Sequence, residues 1–157
     1  MEIKIERDDL SDGKIDGLLN AHLKEMQAYS PPESIHALDP EMLRDPSIVF
    51  WSARAGSDIA GCGALKAISS VSGEIKSMKT SPDFLRKGIG AGILEKIIEE
   101  AQKRSYSSIN LETGSDAAFE PAIKMYIKYG FEECGPYGSY VLDPYSKFYT
   151  LNLKKSA

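Results

Sequence analysis

Residues 81–94 read S-P-D-F-L-R-K-G-I-G-A-G-I-L, a basic, glycine-punctuated turn that runs straight into an amphipathic helix. Gly88 and Gly90 lack a Cβ, so the backbone there can bend tightly and approach a ligand closely. The first N–H groups of a helix have no intrahelical partner and sit at the positive end of its dipole. With Arg86 and Lys87 beside them, the start of this helix is suited to an anion, and phosphate is the expected one.

Two phosphate-binding motifs do not fit the stretch. A P-loop requires G-x-x-x-x-G-K-[ST], yet the glycines here lead into Ala91-Gly92-Ile93 with no Lys-Ser/Thr pair. A dinucleotide fingerprint requires G-x-G-x-x-G directly after a strand, whereas Gly92 breaks the spacing and Pro82 interrupts the chain upstream.

Upstream of the turn, Ile3 and Ile5 alternate with charged neighbours and read as a strand ending near Asp8. Ile15, Leu18, Leu19, His22, Leu23 and Met26 recur at helical spacing, which predicts a helix capped by Ser11 or Asp12 and stopped by Ser30-Pro31-Pro32. Asp39-Pro40 predicts a short second helix ending before Pro46. Residues 48–51 and 59–65, joined by Gly56-Ser57, read as a hairpin, and residues 74–80 as a further strand leading into the glycine turn. The helix after the turn places Ile89, Ile93, Leu94, Ile97, Ile98 and Ala101 on one face, with Glu99/Lys103 and Glu100/Arg104 as outer pairs. A strand over 108–112, a helix over 117–129 closed by Gly130, and strands over 131–134 and 147–153 complete the chain. The expected order is βααββββαβ: hairpins followed by a βαβ crossover, hence a mixed α/β sheet with helices on both faces.

A second motif lies downstream, Ala122-Ile123-Lys124-Met125-Tyr126-Ile127-Lys128-Tyr129-Gly130-Phe131. It resembles the A-x-x-L-Y-x-x-x-G-F ending of the GCN5-related N-acetyltransferases (GNAT), and the glycine turn resembles their pyrophosphate loop, [R/Q]-x-x-G-x-[G/A]. The likeness is strong over residues 73–131. It implies a mostly antiparallel sheet of six to seven strands flanked by about four helices, with a βαβ core that binds acetyl-CoA. Residues 1–157 are expected to form one acetyltransferase domain.

The resemblance also implies roles. The pantetheine arm of the cosubstrate is expected along Met78, Lys79 and Thr80, and its pyrophosphate on Arg86, Lys87, Gly88, Ile89, Gly90 and Ala91. Leu85 stands where the family places Arg or Gln, and Phe119 where relatives often place Asn. Tyr126 matches the tyrosine that protonates the departing thiolate, and a backbone N–H near Met78 would serve the oxyanion. Glu74 is the first candidate for general base and Glu112 the alternative. Each of these also has a plain structural reading, Tyr126 as a core aromatic and Glu74 as a strand residue paired with Lys76 or Lys66. For the acceptor, the segment 30–36 and the aromatic, turn-rich segment 135–146 are the expected walls, with His36 and Tyr140 as candidate substrate contacts.

Bulk properties agree with an enzyme of this size. A chain near 150 residues buries about 68–70% of its unfolded surface, enough for a full core. The 42% hydrophobic and 27% charged content is that of a globular protein. With 23 acidic against 19 basic residues the net charge is −4, and no dense Lys/Arg run offers a footprint for nucleic acid. A cationic amine is mildly favoured as acceptor, either a small molecule or a peptide. Cys62 and Cys134 form no C-x-x-C, the N-terminus lacks a signal-peptide pattern, and no apolar run approaches the length of a membrane span. A cytoplasmic protein without a metal site is expected, with a homodimer as a common assembly among similar proteins. The alternative is a non-catalytic acyl-CoA-binding or sensing module, which needs the glycine turn but no base.

Overall fold

The computed structural model describes residues 2–153. Seven strands form one sheet in the order β1-β2-β3-β4-β5-β7-β6. They are β1 (Lys4–Arg7), β2 (Ile48–Ala55), β3 (Asp58–Ala67), β4 (Ser72–Thr80), β5 (Ser108–Gly114), β6 (Glu132–Cys134) and β7 (Ser146–Asn152). Only β4 and β5 run parallel. The helix α2 (Ile89–Lys103) is the crossover between them, as a parallel pair requires. The remaining helices are α1 (Asp16–Tyr29) and α3 (Glu120–Lys128). Among the described residues no helix is long and apolar enough to cross a membrane.

Among the described residues three α-helices therefore stand where about four were expected. The helix anticipated from Asp39-Pro40 is a single 3-10 turn over Met42–Arg44, with Asp39 Oδ1 accepting from the Met42 N–H at 2.8 Å. Pro46 leaves too few residues for the turn to propagate. α1 starts at Ile15 without a side-chain cap, because Asp12 accepts from the Lys14 N–H at 3.0 Å and closes a turn before the helix. Residues 117–119 form a 3-10 turn capped by Asp116, and Pro121 in the first turn of α3 marks where the helix proper begins. Of the two outer pairs expected on α2, Glu100 holds Arg104 at 2.7 Å and also reaches Arg7 at 2.6 Å.

Strand alternation divides the interior into two layers. Trp51, Ala53, Leu65, Ile75, Ile109, Leu111 and Tyr149 face α2 and α3 and form the larger core with Ile93, Leu94 and Ile97. Phe50, Cys62 and Ala64 face the other way and pack beneath Leu18 and Leu19 of α1. Gly63 lets α2 and β4 close in, since a Cβ there would collide with Met78 Sδ and lie 2.7 Å from Ile93. On the α1 side the face turns polar toward β5, where Glu74 pairs with Asn110 and Lys76 and Glu112 follow just past the last paired residues.

Candidate active site

The cleft arises where two strands part. β4 and β5 are paired only from Ser72↔Ser108 to Ile75↔Leu111, yet β4 runs on to Thr80 and β5 to Gly114. β4 is also kinked. Its partners on β3 step from Ala64↔Lys76 to Cys62↔Lys79, so two β4 residues stand opposite Gly63, and Ser77 takes a positive φ of 57°. Such a bulge breaks the ladder and re-aims the backbone. The space opened by the split is a cleft of about 800 Å³, bounded by α1, the 34–42 segment, β4, β5 and the starts of α2 and α3.

The glycine turn forms one end of that cleft. Arg86 and Gly88 both adopt left-handed backbone conformations, at φ 63° and 77°. Gly88 is the N-cap of α2 and no side chain caps the helix, so its first N–H groups are left for a ligand. Arg86, Gly88, Ile89, Gly90 and Ala91 line the cleft, as do Met78, Lys79 and Thr80 of β4. Lys87 is exposed and outside the lining, and Leu85, in the family's basic position, is 57% exposed. The bulged strand and uncapped helix start fit a ligand with an extended amide arm ending in a pyrophosphate.

At the other end lies a polar cluster. Glu74 is only 4% exposed, and both the Tyr137 and Tyr140 hydroxyls donate to its Oε2 at 2.6 Å. Lys76 Nζ donates to the Tyr140 hydroxyl at 3.0 Å and to the His36 carbonyl at 2.9 Å, and stands 3.9 Å from Glu74 Oε2. The His36 ring packs edge-on against Tyr140, with centroids 4.9 Å apart. Ser34 Oγ donates to Asp143 Oδ2 at 2.5 Å, so the 30–38 and 135–145 segments are clasped together. Glu112 Oε2 accepts from Ser146 Oγ at 2.8 Å.

Burial sets the ionisation of this cluster. It pushes the Glu112 carboxyl above the usual range, against the Ser146 hydrogen bond and the charges of His36 and Lys76. It pushes the Lys76 ammonium down, opposed by Glu74 and then Glu112. The Tyr137 and Tyr140 phenols are driven up by burial and by Glu74, so both stay protonated and donate. Tyr126 of α3 lines the cleft opposite and packs edge-on against Phe131, and burial raises its phenol too. On α1, burial and then Lys79 lower the His22 imidazole to about 4, and its enclosed Nδ1 has no hydrogen-bond partner.

The cleft thus brings together Tyr126, Glu112, His36 and the β4 and α2 residues read from the sequence. Glu74, Tyr137 and Tyr140 stand behind its wall. Lys76 and His22 were not among the residues read as site residues. Lys76 had a signal: it follows Glu74 by two positions and so shares its face of β4, next to Glu112 across the split. His22 had none, since its spacing placed it with the apolar face of a helix and only folding carries that face to the cleft.

Comparison with known proteins agrees with this geometry. Residues 15–131 match the model of the acetyltransferase (GNAT) family. The protein YsnE of Bacillus subtilis (strain 168), an uncharacterized N-acetyltransferase, is 54% identical over 153 residues, 98% of this chain and 100% of that one. YedL of Escherichia coli (strain K12), also an uncharacterized N-acetyltransferase, is 44% identical over 149 residues, 95% and 94% of the two chains. Among solved structures, the PaiA N-acetyltransferase of Thermoplasma acidophilum in complex with coenzyme A matches with a TM-score of 0.75 at 19% identity, over 97% of this chain and 99% of that one.

Proposed function

Because this chain belongs to the GNAT acetyltransferase family and is an N-acetyltransferase that draws on an acyl-CoA, we propose that its donor is acetyl-CoA and its acceptor a primary amine that attacks the thioester directly. The observation that carries the reading is that Glu112 and Tyr126 share one cleft with the bulge of β4 and the uncapped start of α2. Acetyl-CoA, when bound, supplies an acyl group activated as a thioester.

The chain's own residues supply the rest. The α2 N–H groups, with Arg86, would hold the pyrophosphate, and the β4 backbone over Met78, Lys79 and Thr80 the pantetheine amides. Glu112 is the better-placed base, because it faces the cleft while the two tyrosines close over Glu74. Burial raises its pKa above the usual carboxylate range, which makes it a stronger base than a free carboxylate. The backbone N–H of Met78 at the bulge would serve the oxyanion. Tyr126, held protonated by burial, would hydrogen bond the departing thiolate and pass it a proton only as its own hydroxyl is reprotonated by the proton released from the attacking amine, so that no buried phenolate is left. His36 lines the acceptor end, and Tyr140 positions it through the ring contact.

Further parts of the proposal concern the chain as a whole. One sheet spans Lys4 to Asn152, which supports a single domain over residues 1–157. Cys62 and Cys134 are both free thiols, in keeping with a cytoplasmic setting, and sedimentation would test for a homodimer.

The test is thiol release from acetyl-CoA across an amine panel, alongside thermal shifts with coenzyme A, ATP and NAD. Stabilisation by coenzyme A alone, with amine-dependent turnover, is expected. Cofactor binding with no turnover of any amine would identify a binding module instead. Tyr126→Phe should lower kcat about 10²–10⁴-fold, the range for a positioned acid, and leave the acetyl-CoA Kd within about twofold. Unchanged turnover would remove Tyr126 from the mechanism.

A further inference from the structure

Lys76 is the one buried cation of the polar cluster, and its surroundings are built to keep it at the cleft wall. Its side chain is 10% exposed, it lines the cleft, and its neighbours behind the wall are the Glu74 carboxylate and the Tyr140 hydroxyl. The hydrogen bonds run in one direction, from Lys76 Nζ to the Tyr140 oxygen and from the Tyr140 hydroxyl to Glu74. An ammonium has three donors, and the His36 carbonyl and Tyr140 take two of them. Glu74, at 3.9 Å, lies beyond hydrogen-bond reach and already accepts from two phenols, which spread its charge.

One Lys76 donor and part of its charge are therefore left for whatever fills the cleft. Across the split, one position beyond the last paired residues Ile75↔Leu111, is Glu112, which feels the Lys76 charge and whose Oε2 is occupied by Ser146. A cation and a proton-accepting carboxylate thus stand next to each other on neighbouring strands. An α-amino acid, whose carboxylate and amine are a single carbon apart, offers one group to each. Leu19, Leu23, Met26 and Met42 line the same cleft and would receive an apolar substituent.

We propose that Lys76 is the specificity-determining residue of the acceptor site, and that the acceptor is an α-amino acid with an apolar side chain, its carboxylate on Lys76 and its amine at Glu112. This rests on the N-acetyltransferase reading above and narrows its acceptor class. It also revises the expectation from net charge alone, which leaned toward a purely cationic amine. Glu74, Tyr137 and Tyr140 become positioning residues that act through Lys76.

The test uses matched acceptors: L-methionine, L-leucine and L-phenylalanine, each against its carboxamide and its decarboxylated amine. Thiol release from acetyl-CoA is recorded and rates are referred to the neutral amine. The wild-type protein should favour the acid over the amide about 10- to 100-fold in kcat/KM, the range for a hydrogen bond to a charged group, chiefly through KM. Lys76→Met should bring that ratio close to one, and Lys76→Arg should retain most of it. Equal use of acid and amide by the wild-type protein overturns the proposal without any variant, so a poorly folded Lys76→Met leaves it exposed to refutation. A preference that survives Lys76→Met overturns it too, as does turnover confined to amines of other classes. Those last outcomes leave the N-acetyltransferase reading standing, whereas coenzyme A binding without turnover of any amine removes both.

Discussion

Gly88 is the residue at which the cosubstrate reading is most directly testable. It caps α2 at φ 77°, and a Cβ built there meets nothing within 4 Å. Gly88→Ala therefore introduces no clash, and its cost is that of holding an L-residue in the left-handed region, about 1–2 kcal/mol. The strain has two outlets. If the turn keeps its shape, the native state bears the cost, and a chain of this length loses about 2–4 °C in Tm per kcal/mol. If the turn relaxes, the first N–H groups of α2 are re-aimed and the loss falls on cosubstrate affinity, where 1–2 kcal/mol is a factor of about 5–30. Thermal melts without ligand and calorimetric titration with acetyl-CoA measure the two shares, which together should reach about 1–2 kcal/mol. Gly88→Asn is the control, because Asn visits the left-handed region far more readily than Ala and should recover most of the loss. Wild-type Tm and affinity in Gly88→Ala, or equal damage from Asn and Ala, would refute the reasoning.

The remaining predictions concern ionisation and burial. Glu112→Gln should abolish the acid limb of kcat/KM, namely the limb whose position does not move when an acceptor of different amine pKa is used. That limb should lie above the usual carboxylate range, since burial raises the group. A raised carboxyl adds stability only while protonated, so its contribution is lost as pH rises through the folded-state pKa. Glu112→Gln should thus melt no lower than wild type at pH 7 while turning over more slowly, and a lower Tm would count against the burial argument. His22 has the opposite sign: its imidazole is lowered to about 4, so its contribution is present above the ordinary value of 6.5 and lost as pH falls toward 4. His22→Phe should flatten the decline in Tm across that window, and an unchanged decline would place it elsewhere. Finally, Cys62 is fully buried, donates to the Ser77 carbonyl at 3.2 Å and is pushed up to about 12, whereas Cys134 is only half-buried. Mass spectrometry after iodoacetamide should show alkylation at Cys134 in the native protein and at both after denaturation, and early loss of Cys62 would contradict its packing.

Much of this protein was written locally. The turn over residues 81–94 specified a helix start open to phosphate because glycine conformation and unpaired N–H groups are properties of a few consecutive residues. The apolar stripe from Ile89 to Ala101, the stop at Ser30-Pro31 and the closure at Gly130 followed from periodicity and turn chemistry. The helix expected at Asp39-Pro40 shows the limit of such reasoning, since a good start signal fails when the next stop comes within a few residues.

What tertiary structure decided is which polar groups are exposed and which are sealed. Glu74 read equally well as base or as surface residue, and nothing within β4 distinguishes the two. Its environment comes from Tyr137 and Tyr140, 63 and 66 positions away, brought over it when β7 takes its place between β5 and β6. The same long-range pairing leaves Glu112 and Lys76 at the split between β4 and β5, where desolvation tunes both. Local sequence pointed to the proposed coenzyme site, because that site is made of backbone. The proposed acceptor site is made of side chains gathered from distant segments, and their burial, charge and direction exist only once the sheet has closed.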